Sequence, residues 1–192
     1  ETGELRELFQ GNFISPIEGA ENNVGLMKEE LTDRGILAKR INLNPFDLID
    51  NHQFKSSNRD IKHQERTIQL IDHVIGLGAK SILVFTKDVN DSRVIASYLR
   101  MRTNSVNAEH LESETNPEIR RNIIHNFRNG NVKVLLNWGI LTTGFDAPKT
   151  DAVLICRPNL NEYESLFQQM VGRGLRGWKF GGTHECWIAH LK

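Results

Sequence analysis

Ser81-Ile82-Leu83-Val84-Phe85 is a short, continuous apolar run, and its reading decides the fold. Without polar alternation, such a run predicts a strand buried on both faces, as in a parallel sheet covered by helices. Upstream, Ile61, Ile68, Ile71, Val74 and Ile75 recur at helical spacing. Downstream, Asp88 is placed to cap a helix carrying Val89, Ile95, Tyr98 and Leu99. Ser105 to Leu111 reads as a weaker strand. Asn116-Pro117-Glu118 supplies an N-cap, a first-turn proline and a first-turn acid, and Gly130 closes that helix, whose stripe is Ile119, Ile123, Ile124 and Phe127.

The alternation continues with strands at Val132 to Leu136 and Asp151 to Cys156, separated by a loop of small and polar residues reaching Lys149. Asn161 with Glu164 resembles a capping box for a helix carrying Tyr163, Leu166, Phe167, Met170 and Val171. A glycine-rich loop leads to a last strand at Glu185 to Leu191. Repeated βαβ units predict an α/β domain with a mostly parallel sheet flanked by helices. Residues 1–55 show one helix, Leu26 to Arg34, stopped at Gly35 among irregular segments with Pro16 and Pro45. That stretch reads as an interdomain connection or the tail of a preceding domain, and 56–192 as the domain proper.

Composition narrows the function. The chain has 192 residues, 39% hydrophobic and 25% charged, enough for a buried core. Its 24 Lys and Arg balance 24 Asp and Glu, which excludes a globally basic nucleic-acid binder but not a local basic cleft. No apolar run approaches the ~20 residues of a membrane span, so no membrane partnership is expected. Two cysteines, Cys156 and Cys186, each inside an apolar run, form no disulfide framework, favouring a reducing, cytoplasmic compartment. Seven histidines show no metal-ligand spacing, so no metal site is expected. No secretory or transit signal is evident. A start at Glu1 and an end just after an apolar strand suggest a piece of a longer protein.

Two glycine motifs fail their structural context. Gly76-Leu77-Gly78-Ala79-Lys80-Ser81 lacks the P-loop's glycine before the lysine, and it follows a helix and precedes a strand. Gly172-Arg173-Gly174-Leu175-Arg176-Gly177 fits GxGxxG but follows a helix, the reverse of a dinucleotide fingerprint. What remains is a loop carrying Arg173 and Arg176 among glycines that permit close backbone approach. Taken alone, the pair suits either a polyphosphate or two solvated side chains.

In combination the motifs resemble the second RecA-like lobe of superfamily 2 DEAD/DEAH-type helicases and translocases, closest to the type III restriction-subunit-like group. Gln169-Met170-Val171-Gly172-Arg173-Gly174-Leu175-Arg176 matches the family's QxxGRxxR at every fixed position. Thr142-Thr143-Gly144-Phe145-Asp146-Ala147-Pro148 looks like the motif preceding it, Ile82 to Thr86 sits at the lobe's first strand, and Arg120 through Phe127 to Gly130 follows R(x6)F(x2)G. The resemblance spans about residues 60–192 in order. It implies a RecA-like sheet, a P-loop NTPase-like second lobe without its own P-loop. Trp138 departs from the phosphate-contacting threonine of many members, and Pro117 from the glutamine common in the DEAD-box branch.

The resemblance further implies site residues. Arg173 and Arg176 would be arginine fingers for ATP bound by a first lobe, with Gln169 organising them. Gly144, Asp146 and Gly172 would border the nucleotide. Mg2+ would be held by that first lobe, which is absent from this stretch. Thr86, Arg120 and Thr142 would grip strand phosphates, giving little base specificity. Each has a plainer competitor: Thr86 as a strand-end cap, Arg120 as a solvated helix residue, Asp146 as a turn residue before Pro148. DNA is favoured over RNA, and the first lobe of the same protein is the expected partner. Since the stretch lacks a P-loop and an acid box, it should neither hydrolyse ATP nor unwind strands alone. The competing reading is a non-catalytic nucleic-acid- or protein-binding module on the same fold.

Overall fold

The structure, a computed structural model, describes residues 24–48, 58–142, 145–158 and 164–191. In chain order the elements are α1 (Val24–Asp33), β1 (Lys39–Leu43), the short α2 (Pro45–Leu48), α3 (Arg59–Gly76), β2 (Ile82–Phe85), α4 (Val89–Met101), β3 (Ala108–Leu111), α5 (Pro117–Arg128), β4 (Val134–Asn137), β5 (Ala152–Ile155), α6 (Glu164–Gly172) and β6 (Glu185–His190). A single 3₁₀ turn, Trp178–Phe180, interrupts the glycine-rich loop.

The six strands form one sheet in the order β1-β6-β5-β2-β4-β3, with every pairing parallel. β2, β4 and β5 are buried along their whole length, as the unbroken apolar run at Ile82–Phe85 demands. Alternate strand residues feed two cores. Ile82, Val84, Val134, Leu136 and Leu154 pack with Leu70, Ile71 and Val74 of α3 and Ile95 and Leu99 of α4. Leu83, Phe85, Leu135, Val153 and Ile155 pack with Phe127 of α5 and Met170 and Val171 of α6. Two helices therefore cover each face, the three-layer α/β/α arrangement expected of βαβ repeats.

Local signals set the element ends. The Asn116 side chain accepts from the Glu118 and Ile119 amides, Pro117 follows, and Gly130 takes φ +80° past the helix end. The Asp88 side chain accepts from the Asp91 amide and starts α4. Gly76 to Ser81 is a helix-to-strand turn with Gly78 at φ +100°. Ile61 and Tyr98, placed on apolar stripes by spacing, are exposed on their helices. The Asn161 half of the capping box lies outside the described residues.

The stretch 1–55 contributes more than its helix. Lys39–Leu43 pairs with β6 residue by residue, Lys39 against Glu185 through Leu43 against Ala189, and forms one of the two outer strands of the sheet. The sequence reading had no strand there, because an edge strand with charged residues gives no continuous apolar run. The segment before it also packs on the glycine-rich loop. Ala38 donates to the Leu175 carbonyl at 3.0 Å, and Gly177 donates to the Ile36 carbonyl at 3.0 Å.

Candidate functional site

Parallel strands place all their C-terminal ends along one edge, where Thr86, Trp138 and Arg157 follow β2, β4 and β5. The chain runs from β2 to β3 and β4 on one side of the sheet, then crosses to β5 and β6 on the other. The ends of β2 and β5 thus flank the topological switch point, the usual ligand crevice of open α/β sheets.

The loop after β4 is held from within. Asn137, fully buried, donates from Nδ2 to the Val84 carbonyl at 3.2 Å and accepts the Leu141 amide on Oδ1 at 3.3 Å. The Thr142 hydroxyl donates to the Gly139 carbonyl at 2.7 Å. Arg173 clamps the far side. Its Nε donates to the Thr142 carbonyl at 3.1 Å, joined there by Nη2, and its Nη1 donates to the Phe145 carbonyl at 2.6 Å. These carbonyls flank residues 143 and 144, so Gly144 lies outside the described residues.

Arg176 behaves differently from Arg173. Its Nη1 meets Asp146 Oδ2 at 2.9 Å, and the two side chains are 43% and 54% exposed. Asp146 is fixed through its backbone instead, where its carbonyl accepts from Arg128 Nε at 2.6 Å. The backbone of Arg176 is pinned by a bridge to Leu37 and by the Thr183 amide, 3.1 Å from its carbonyl. Gln169 is exposed on α6, and Gly172, also exposed, ends that helix. The structure therefore brings Arg173, Arg176, Asp146 and Thr142 together.

Gly174, between these arginines, and Gly177, just after them, serve packing. A Cβ on Gly174 would meet Val153 Cγ2 at 2.7 Å, and one on Gly177 would run into the backbone of Gly35 and Ile36. At these two positions the close approach is by the chain's own residues.

Two strand-phosphate candidates are occupied internally. Thr86 has no exposed surface in this chain. Its hydroxyl lies 2.5 Å from Ser92 Oγ and donates toward the Asp88 carbonyl at 2.9 Å, bracing the β2–α4 turn. Arg120 Nη2 donates to the Ser113 and Glu112 carbonyls at 2.9 and 3.2 Å, tying α5 to the loop ahead of it. Beside β2, Asp91 is almost fully buried. Burial pushes its carboxyl up, but His63, the Gln64 amide and Lys87 more than offset that and hold it below the ordinary value. Cys156 and Cys186 are buried free thiols, and burial pushes Cys156 up to about 12. Among the described residues no three His, Cys, Asp or Glu side chains are grouped to hold a metal ion.

Residues 62–177 match the helicase conserved C-terminal domain family. The chain belongs to that family. The match takes in Thr86, Arg120, Thr142, Arg173 and Arg176, and leaves β1 and β6 outside it. IRC3 of Saccharomyces cerevisiae, to which ATP-dependent helicase activity is ascribed, is 41% identical over 97 residues, 50% of this chain and 14% of that protein. The protein named irc3 in Schizosaccharomyces pombe, described as mitochondrial, is 38% identical over 108 residues, 56% of this chain and 17% of that protein. The chain thus spans less than a fifth of either relative's length.

Solved structures agree on the fold. A fragment described as the HsdR subunit of a type I restriction enzyme from Vibrio vulnificus YJ016 superposes with TM-score 0.60 at 23% identity, covering 83% of this chain and 33% of that one. The C-terminal domain of the DEAD-box protein Dbp5 superposes with TM-score 0.55 at 19% identity, covering 80% and 76%. The helicase C-terminal domain is therefore RecA-like in this chain. No helix among the described residues is long and apolar enough to cross a membrane.

Two residues that hold this edge escaped the sequence reading. Asn137 left one trace, a polar residue ending an apolar strand. Arg157 left none: a lone arginine after a strand carries no motif, and its setting depends on Thr86 and Trp138, both distant in sequence.

Proposed function

We propose that this helicase C-terminal domain is the second motor lobe of an ATP-dependent helicase or translocase. In this reading a first lobe outside the stretch binds ATP and Mg2+, and the present lobe closes on it. Arg176 is the group best fitted to act as the arginine finger. It is half exposed, permanently charged and paired with a solvent-facing carboxylate that a nucleotide phosphate can displace. That exchangeable pair carries the proposal. Arg173, with Nε and both terminal nitrogens donating to loop carbonyls, acts as a positioning residue that sets the 142–146 loop. Asp146, once released, is free to accept from ribose hydroxyls, with Gly144 and Gly172 beside the nucleotide and Gln169 organising the loop. Arg120 and Thr142 would meet strand phosphates, and Thr86 would support them from inside.

DNA is the proposed strand ahead of RNA, and the stretch alone is expected to be inactive in ATP hydrolysis. A reducing, cytoplasmic setting is proposed on the two buried free thiols. The test is ATP turnover by the full-length protein, with and without single- and double-stranded DNA and RNA, beside Arg176→Ala. Nucleic acid should stimulate turnover, and the substitution should reduce it by about 10³-fold or more, as for fingers in comparable systems. Turnover indifferent to Arg176 would sink the finger assignment and favour a binding module on the same fold.

A further inference from the structure

Arg157 and Trp138 are unexplained by any role given so far. Arg157 follows β5, and its Nε reaches across the switch point to donate to the Thr86 carbonyl at 3.1 Å. Its Nη2 donates to the Trp138 carbonyl, and its guanidinium carbon stands 5.3 Å from the centroid of the Trp138 ring. The three loops after β2, β4 and β5 are therefore drawn together by one side chain. No carboxylate lies within 4.0 Å of this guanidinium among the described residues, although burial weighs against its charge. Two of its five N–H donors are engaged there. Trp138, directly beside it, is 50% exposed.

An exposed indole against an uncompensated cation is poor economy for stability alone. A half-buried arginine normally gains a carboxylate, and a large aromatic normally gains cover. Together at a strand-end crevice, they offer a flat apolar face and a planar anion-binding fork within one nucleotide's reach. Those are the two elements by which single strands are held without base readout: stacking on an aromatic and neutralisation of a phosphate.

We propose that Trp138 and Arg157 form a single-strand docking point, with one base stacked on the indole and the adjoining phosphate on the Arg157 guanidinium. This rests on the reading of the lobe as a nucleic-acid motor and adds to it a contact to the base itself. Because every base has a π face, the site would favour single strands over duplex without selecting sequence.

The test is fluorescence anisotropy of the purified chain with fluorescein-labelled oligonucleotides of about 12 residues: oligo-dT, oligo-U, and an abasic chain with the same phosphates. Trp138→Ala should weaken oligo-dT or oligo-U binding by roughly 5- to 150-fold. Abasic binding should stay unchanged and Trp138→Phe should restore most of the loss. Arg157→Gln should weaken all three ligands and lower the salt slope by about one phosphate. Because Arg157 also ties loops together, circular dichroism accompanies that variant, and the Trp138 pair decides the question without it. Equal binding by Trp138→Ala and wild type, or equal loss for the abasic chain, overturns the docking point while leaving the motor reading intact. A wild-type chain that binds none of the oligonucleotides overturns the nucleic-acid reading and this inference with it.

Discussion

Arg102 and Arg157 are both partly buried, and they sit at opposite ends of the same sheet. Arg102, past the end of α4, makes a bidentate pair with Asp72, Nη1 to Oδ2 at 2.7 Å and Nη2 to Oδ1 at 2.6 Å. The Asp72 hydrogen bonds raise its pKa above the ordinary value, whereas burial lowers that of Arg157, which has a tryptophan ring where Arg102 has a carboxylate. At the N-terminal end, polar groups are matched within the chain. Asp151, just before β5, accepts the Lys80 amide at 2.8 Å and the Ser81 amide at 2.9 Å. The difference separates a charge paired within the fold from one that the proposed docking point leaves to a ligand. A matched pair has its charge neutralised within the chain; Arg157 ties loops through neutral carbonyls and keeps its charge open to an anion.

Three measurements bear on this contrast. The largest effect is expected from Asp151→Ala, which removes the acceptor of two amides, that of Ser81 being buried. About 2–3 kcal/mol should be lost in urea unfolding, with oligonucleotide affinity of the folded fraction unchanged. A loss of binding as well would mean that the two ends are not independent. Next, Arg102→Ala should cost about 1 kcal/mol, since Asp72 remains exposed enough to be solvated. Trp138→Ala should change stability by no more than about 0.5 kcal/mol, as for exposed positions generally. If Trp138→Ala proves the more destabilising of the two, the indole is a structural cover and the contrast collapses.

The same division explains what was legible in the sequence. β2 announced itself because every residue of Ile82–Phe85 is buried, and α5 because Asn116, Pro117 and Gly130 act within one element. These signals are local. β1 was missed because Lys39–Leu43 owes its strand to pairing with Glu185–Ala189, far along the chain. The internal partners of Thr86 were not legible, because a hydroxyl at a strand end looks the same in sequence whether or not it meets Ser92. The motif arginines were found, but their different employment was not, since the partners of Arg173 and Arg176 lie 28 to 31 residues away. Gly177 is the sharpest case. Its lack of a side chain is required by Gly35 and Ile36, which no motif spacing contains.

The smallest expected effect is a slope rather than a step, and it tests whether the N-terminal end is as closed as its hydrogen bonds suggest. Burial raises the Asp151 carboxyl above the ordinary aspartate value, and the Ser81 and Lys80 amides only partly offset this. A carboxyl with a raised folded pKa binds more protons in the folded than in the unfolded state across the interval between the two values. Its contribution is therefore complete below the ordinary value, about 3.9, and is lost as pH rises through the folded one. Asp91 works in the opposite sense, because its lowered carboxyl favours the fold above the ordinary value and loses that contribution on acidification. Subtracting the urea stability of Asp151→Asn from that of the wild type at each pH removes Asp91 and every other shared group. The difference should grow in favour of the wild type as pH falls from 7 toward 4. A flat difference would mean that Asp151 is solvated like any surface aspartate, and that its two amide bonds form in an open rather than a closed end of the sheet.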